Sequence, residues 1–225
     1  MRRGQLRLFR IDHAKPVGEA IDAATEAVRD GGIICYPTET VYGLGGNALF
    51  GDVIRAINRS KGRPESTSCI NLILIEEANK WIGNFDRIAG FLHKFWPGPL
   101  TAIVEPHEDV GFPSESIGPV GGIAIRAASH PVDVAILESI SMPLISTSAN
   151  RSGESVPPLR LDGCLDWLEG FCDVVIDSGE LPKSRPSTLV DARGFPNKII
   201  ILRDGAITSK TIRDEFPETE VDNAE

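Results

Sequence analysis

Short apolar runs, each closed by a breaker, constrain this chain more than any other feature. "CINLILI" (69–75), "LTAIV" (100–104), "GIAIR" (122–126), "PLIST" (143–147), "DVVI" (173–176), "STLVD" (187–191) and "KIIILR" (198–203) are too short for ordinary helices and rich in β-branched residues, so each reads as a strand. Residues 33–36 read the same way. Between the runs the apolar spacing is helical. Residues 18–30 put Ala20, Ile21, Ala24 and Val28 on one face and stop at Gly31-Gly32. A short helix is expected from Asp52 to about Ser60. "DRIAGFLHKFW" (86–96) turns Ile88, Phe91, Leu92 and Phe95 inward, and Pro131 opens a helix to about Ile140. Further helices are expected near 162–169 and 208–216. Strands and helices mix without strict alternation, which predicts an α/β fold built on a twisted mixed open sheet, parallel and antiparallel, flanked by helices. The 225 residues read as a single domain with a core over about 15–205. The acidic tail, "EFPETEVDNAE", reads as frayed.

Composition narrows the partners. A net charge of −9 argues against a surface that grips nucleic acid through many phosphate contacts, while leaving room for a local basic pocket. The aromatic content of 6% also counts against stacking platforms for single strands. Cys35, Cys69, Cys164 and Cys172 form no C-x-x-C pair, and three lie in or beside apolar segments, so they read as structural thiols. His13, His93, His107 and His130 have no metal-ligand spacing. The basic N-terminus, "MRRGQLRLFRIDHAK", has no long apolar run, and no segment reaches membrane-spanning length. A cytoplasmic protein with no membrane association is expected.

The stretch "IICYPTETVYGLGGNA" (33–48) departs from this regular pattern. An apolar strand runs into Thr38, Glu39, Thr40 and then three glycines, more than a turn requires. Glycine lets backbone N–H groups approach a ligand, although a permissive loop would have the same residues. No GxxxxGK[ST] phosphate loop is present. Three further clusters also follow the ends of strands or helices, where ligands bind in open α/β sheets. "RSKGRP" (59–64) offers Lys61 and Arg63, which could cap a helix end or hold phosphate oxygens. "STSANRSG" (146–153) packs four hydroxyls and an amide into eight residues, as a polar loop or as a set of hydrogen-bond donors. Arg126, Ser187-Thr188 and Arg203 form the last, scattered group. Glu39 is the one acidic residue within these clusters, so no general base stands out. A cationic, hydroxyl-rich pocket suits the positioning of an anionic substrate and the neutralisation of developing charge, as in phosphoryl and nucleotidyl transfer.

These segments together resemble a known set. "YPTETVYGLGGNA", "KGRP", "FWPGPLT", "IAIRAASHP", "STSANRSG", "PSTLVD" and "ILRDG" occur in the order found in the YrdC/TsaC family of threonylcarbamoyl-AMP synthases. The resemblance implies a YrdC-like fold with a large positively charged cavity, in the short single-domain form. It implies a nucleotidyltransferase that makes threonylcarbamoyl-AMP and pyrophosphate from L-threonine, bicarbonate and ATP, with Mg2+ carried on the ATP rather than by protein ligands. The product would pass to a tRNA threonylcarbamoyltransferase, and tRNA binding by this chain itself would be weak or absent. By the same resemblance Thr38, Arg126 and Ser187 would bind threonine. Lys61, Arg63, Ser146, Ser148, Asn150 and Arg203 would bind ATP, with Lys61 and Arg63 catalytic. "ESTSCINL" (65–72) departs from the family pattern, with Leu72 or a neighbour in place of a histidine. A YciO-type paralogue, with weak synthase activity or an RNA-binding role, is the alternative.

Overall fold

The computed structural model describes residues 5–12, 15, 17–119, 121–154 and 158–224. His13 and Glu225 lie outside the described residues. The strands are β1 (Arg7–Arg10), β2 (Ile34–Pro37), β3 (Tyr42–Gly45), β4 (Ile70–Ile73), β5 (Leu100–Val104), β6 (Ile123–Ala127), β7 (Leu144–Ser148), β8 (Val174–Asp177), β9 (Thr188–Asp191), β10 (Lys198–Arg203) and β11 (Glu220–Asn223). The helices are α1 (Gly18–Arg29), α2 (Gly51–Lys61), α3 (Ala78–Trp81), α4 (Phe85–Phe95), α5 (Pro131–Ile140), α6 (Leu165–Glu169) and α7 (Ser209–Glu215). The strands join in one sheet in the order β1-β8-β2-β3-β7-β4-β6-β5-β9-β10-β11, with parallel and antiparallel pairings both present, as the mixed spacing predicted.

Strand alternation assigns each side chain to a layer. Ile34, Tyr36, Leu72, Leu144, Val174 and Ile176 pack under α1 and α5, while Cys35, Leu44, Ile145 and Val175 pack on the other face with α2 and α6. In the other half of the sheet, Leu100, Ala102, Val104, Ile123, Ile125, Ala127, Val190, Ile199 and Ile201 bury against α3, α4 and α7. Leu72 sits opposite both Leu144 and Arg126, so Arg126 shares the sheet face that α1 and α5 cover further along. Beyond those two helices this face becomes the wall of a cavity.

Two expectations need correction. Residues 42–45 are not a loop; they form β3, which pairs with β2 as a hairpin. A Cβ on Gly45 would lie 2.5 Å from the Tyr36 ring and 2.6 Å from the Ile145 carbonyl, so glycine lets β2, β3 and β7 close together. The acidic tail is not frayed throughout. Glu220–Asn223 is edge strand β11, parallel to β10, with Val221 buried and Lys198 between Glu220 (2.9 Å) and Asp222 (2.6 Å). The basic N-terminal segment contributes β1 at the opposite edge, parallel to β8. Short edge strands of this kind have few apolar positions, which is why the periodicity did not mark them.

Candidate functional site

The cavity has a volume of about 650 Å³. Strand alternation builds much of its wall. Ala124 and Arg126 of β6, Ile103 of β5, Leu189 of β9 and Leu202 of β10 occupy the face opposite the α3/α4/α7 core. Ile70 of β4 pairs with Ser146 of β7, and Gly43 of β3 pairs with Ser148, extending the wall across the sheet. Thr38 and Thr40 close it from the β2–β3 turn. The site therefore lies largely on the sheet face, not only in loops beyond the strand ends as expected. Arg126, Ser146 and Ser148 are all within strands.

Eight of the nine sequence-selected residues line this one cavity: Thr38, Arg63, Arg126, Ser146, Ser148, Asn150, Ser187 and Arg203. Lys61 lies behind the wall. Its ammonium donates to the backbone carbonyls of Ser148 and Asn150, the latter at 2.6 Å, and so ties the end of α2 to the 148–150 turn. Burial first, and the nearby Arg63 charge second, bring its pKa down to about 8. Gly62, just past α2, adopts the left-handed conformation (φ +71°) of a helix cap. The segment thus ends a helix and brings both cations to the site.

Arg63 is held from three sides. Nε donates to Asn58 Oδ1 at 2.6 Å, and Nη2 reaches Thr147 Oγ1 at 3.2 Å and Cys69 Sγ at 3.3 Å. Nη1 has no protein partner among the described residues, and Arg63 lines the cavity. Ser148 Oγ donates to Asn150 Oδ1 at 2.5 Å, and Asn150 Nδ2 donates to the Glu154 carbonyl at 3.1 Å. Thr38 Oγ1 donates to the Val41 carbonyl at 2.7 Å and accepts from the N–H of Thr40 at 3.2 Å, which shapes the turn. Ser187 Oγ pairs with Thr101 Oγ1 at 2.9 Å. Burial and the charge of Arg126 both lower the pKa of Arg203, so two guanidiniums repel across the space an anion would occupy.

Sequence reasoning missed several neighbours. Thr101 and Cys69 lie in or beside strands that read as plain core. Leu72, in the stretch that departs from the family pattern, packs in the core, whereas Ser68, Cys69 and Ile70 line the cavity. Glu39 lies 3.3 Å from Arg126. Asp133, in the first turn of α5, is completely buried. An acidic residue there reads as helix capping, so no local signal marked it. Glu154 is the one carboxylate on the cavity wall among the described residues.

Fold and site together define an α/β protein with three arginines and a row of hydroxyls facing one small-molecule cavity. The chain belongs to the Sua5/YciO/YrdC family, whose model, described as "Telomere recombination", matches residues 26–205. It is 32% identical over 194 residues to the threonylcarbamoyl-AMP synthase of Pyrococcus abyssi, covering 85% of this chain and 56% of that protein. The Bacillus subtilis protein of the same name is also 32% identical, covering 85% of this chain and 55% of that protein. The chain thus spans about half the length of these two relatives. It spans 93% of the Xanthomonas campestris protein of that name, at 33% identity over 77% of this chain. Among solved structures, P. abyssi Sua5 complexed with L-threonine superposes with a TM-score of 0.82 at 28% identity, covering 96% of this chain and 62% of that one. E. coli YciO gives 0.74 at 26% identity, covering 88% and 95%.

Proposed function

We propose that this chain is an L-threonylcarbamoyladenylate synthase, a nucleotidyltransferase. The observation that carries the reading is the convergence of Arg63, Arg126 and Arg203, from three distant segments, on one cavity whose other polar groups are mostly hydroxyls. Such a wall offers fixed positive charge and neutral donors, which suits a triphosphate and an amino-acid carboxylate held side by side. The relatives named as synthases favour this over the YciO-type alternative.

Arg126, buried in β6, takes the threonine carboxylate, with Thr38 and Ser187 beside it. Arg63, through Nη1, and Arg203 take the phosphates. The 146–150 segment places the nucleotide, and the ammonium of Lys61 supports that segment while adding charge behind it. The threonine amine and bicarbonate combine, with loss of water, to an N-carboxy amino acid. A carboxylate oxygen of that carbamate attacks the α-phosphorus, and the bond from the α-phosphorus to the bridging oxygen breaks. Pyrophosphate leaves with the bonding electrons, and Arg63 and Lys61 neutralise the charge that builds on it. Among the described residues, no cluster of three or more His, Cys, Asp or Glu is arranged to hold a metal. One carboxylate, Glu154, fits a magnesium ion that arrives mainly on the triphosphate. Such an ion would screen phosphate charge.

The product is a reactive mixed anhydride, so a tRNA threonylcarbamoyltransferase is the consumer we infer, in the cytoplasm. The net charge of −9 supports weak or absent tRNA binding by the chain itself. No helix among the described residues is long and apolar enough to cross a membrane. The test is to incubate the protein with ATP, bicarbonate and threonine and measure pyrophosphate with each component omitted in turn. Release that needs all three is the expected result. Release that ignores threonine overturns the reading.

A further inference from the structure

One cluster behind the cavity wall has more charge than its hydrogen bonds account for. Glu39 Oε1 lies 3.3 Å from Arg126 Nη1, and the two side chains are only 18% and 4% exposed. Asp133, at the start of α5, is fully buried and near enough for the charges of Glu39 and Arg126 to act on it. Both carboxylate oxygens of Glu39 and Nε of Arg126 are buried without a hydrogen-bond partner, while the Asp133 carboxylate faces the N–H groups of His130 and Val134 at the start of its own helix. Arg126 lines the cavity, and neither acid does. Glu39 therefore backs the arginine from the protein side, with Asp133 buried nearby.

Two full negative charges there would overcompensate the guanidinium at low dielectric, where an unpaired carboxylate is costly. Burial raises the pKa of Asp133 well above the ordinary carboxylate range, and the Glu39 charge adds to the effect. The Arg126 charge and the N–H groups of His130 and Val134 pull the other way. Other charged or titratable groups nearby are Tyr36, whose phenol burial holds un-ionised, Arg203, whose pKa the Arg126 charge lowers, and the imidazole of His130, whose Nδ1 accepts from the Val132 N–H at the start of α5.

We propose that Glu39 and Asp133 are positioning residues for Arg126: together they carry one negative charge, which anchors the guanidinium from behind and leaves its cavity edge available to a substrate carboxylate. The substrate half of this inference rests on the threonine reading above. Glu39 holds the charge and Asp133 holds a proton. Once Asp133 ionises, the cluster becomes net negative and repels the incoming carboxylate.

The test has two arms. In the kinetic arm, Glu39→Gln should raise KM for threonine about tenfold while KM for ATP stays within about twofold, as expected when one charge-assisted anchor is lost. General damage to the fold would move both. From about pH 5 to about pH 9, wild-type KM for threonine should climb more steeply than that of Asp133→Asn, a comparison in which the titrations of threonine and bicarbonate cancel. Parallel profiles, or an unmoved threonine KM in Glu39→Gln, overturn the proposal. The second arm needs no substrate, so it still decides how the charge is shared if the synthase reading fails. A raised native pKa means the folded state keeps a proton that the unfolded chain gives up above about pH 4, so wild type loses stability as pH rises toward the native value. The melting temperature of Asp133→Asn relative to wild type should therefore increase with pH. A difference that stays constant with pH means Asp133 is already ionised, and the proposal falls.

Discussion

Arg203 grips Ser187 as a unit: Nε and Nη2 donate to the Ser187 carbonyl at 3.2 and 2.9 Å, and Nη2 also reaches the Ser187 hydroxyl at 3.1 Å. A residue expected on the nucleotide side and one expected on the amino-acid side are thus mechanically linked. Lysine keeps the charge but cannot form this fork. Arg203→Lys should lower kcat/KM about tenfold for both ATP and threonine, and Arg203→Ala about a hundredfold. Steady-state pyrophosphate release with each substrate varied in turn checks this. An effect confined to ATP would show that the Ser187 contact is incidental.

Gly205 lets this clamp close. A Cβ there would lie 2.3 Å from the Pro186 carbonyl oxygen and 2.4 Å from the Thr188 nitrogen, and neither backbone atom can move aside cheaply. Gly205→Ala should cost about 1–3 kcal/mol of stability and raise KM for threonine by displacing Ser187. Urea unfolding and threonine titrations measure the two effects.

Two nitrogens of Arg63 are held by protein partners and the side chain lines the cavity, which leaves it placed to meet charge that appears during the reaction. Arg63→Ala should slow pyrophosphate release about a hundred- to a thousandfold. Single-turnover measurement separates this loss from weaker ATP binding. A normal rate would remove Arg63 from the chemistry.

Lys61 supplies a pH signature. Its ammonium form carries the useful charge, and its pKa is near 8, so kcat/KM for ATP should fall as pH rises through about 8. Arg63 is one cause of that low value. Removing it should move the alkaline limb to higher pH in whatever activity remains. A limb that stays in place in Arg63→Ala would mean another group controls it.

The candidate site was legible in the sequence to the extent that its chemistry lay in compact runs. "KGR" and "STSAN" marked themselves by packing cations and hydroxyls into a few positions. Arg126, Ser187 and Arg203 were each unremarkable as strand-end residues, and only their shared placement drew notice. Asp133 left no trace, because an acid in the first turn of a helix has an ordinary local explanation. Lys61 was expected in the cavity, yet its ammonium spends its bonds on backbone carbonyls behind the wall.

The sequence by itself determined most of the elements, though not β1, β3, β11 or α3. Helical spacing, β-branched runs and glycine stops act between residues a few positions apart, and those forces are present in the chain before it folds. Tertiary structure decided strand order and register, because pairing energies depend on which segments meet across the sheet. Those pairings set Leu72 opposite Arg126, carried one face of the sheet from apolar core to arginine-lined wall, and let Glu39 reach the guanidinium from behind.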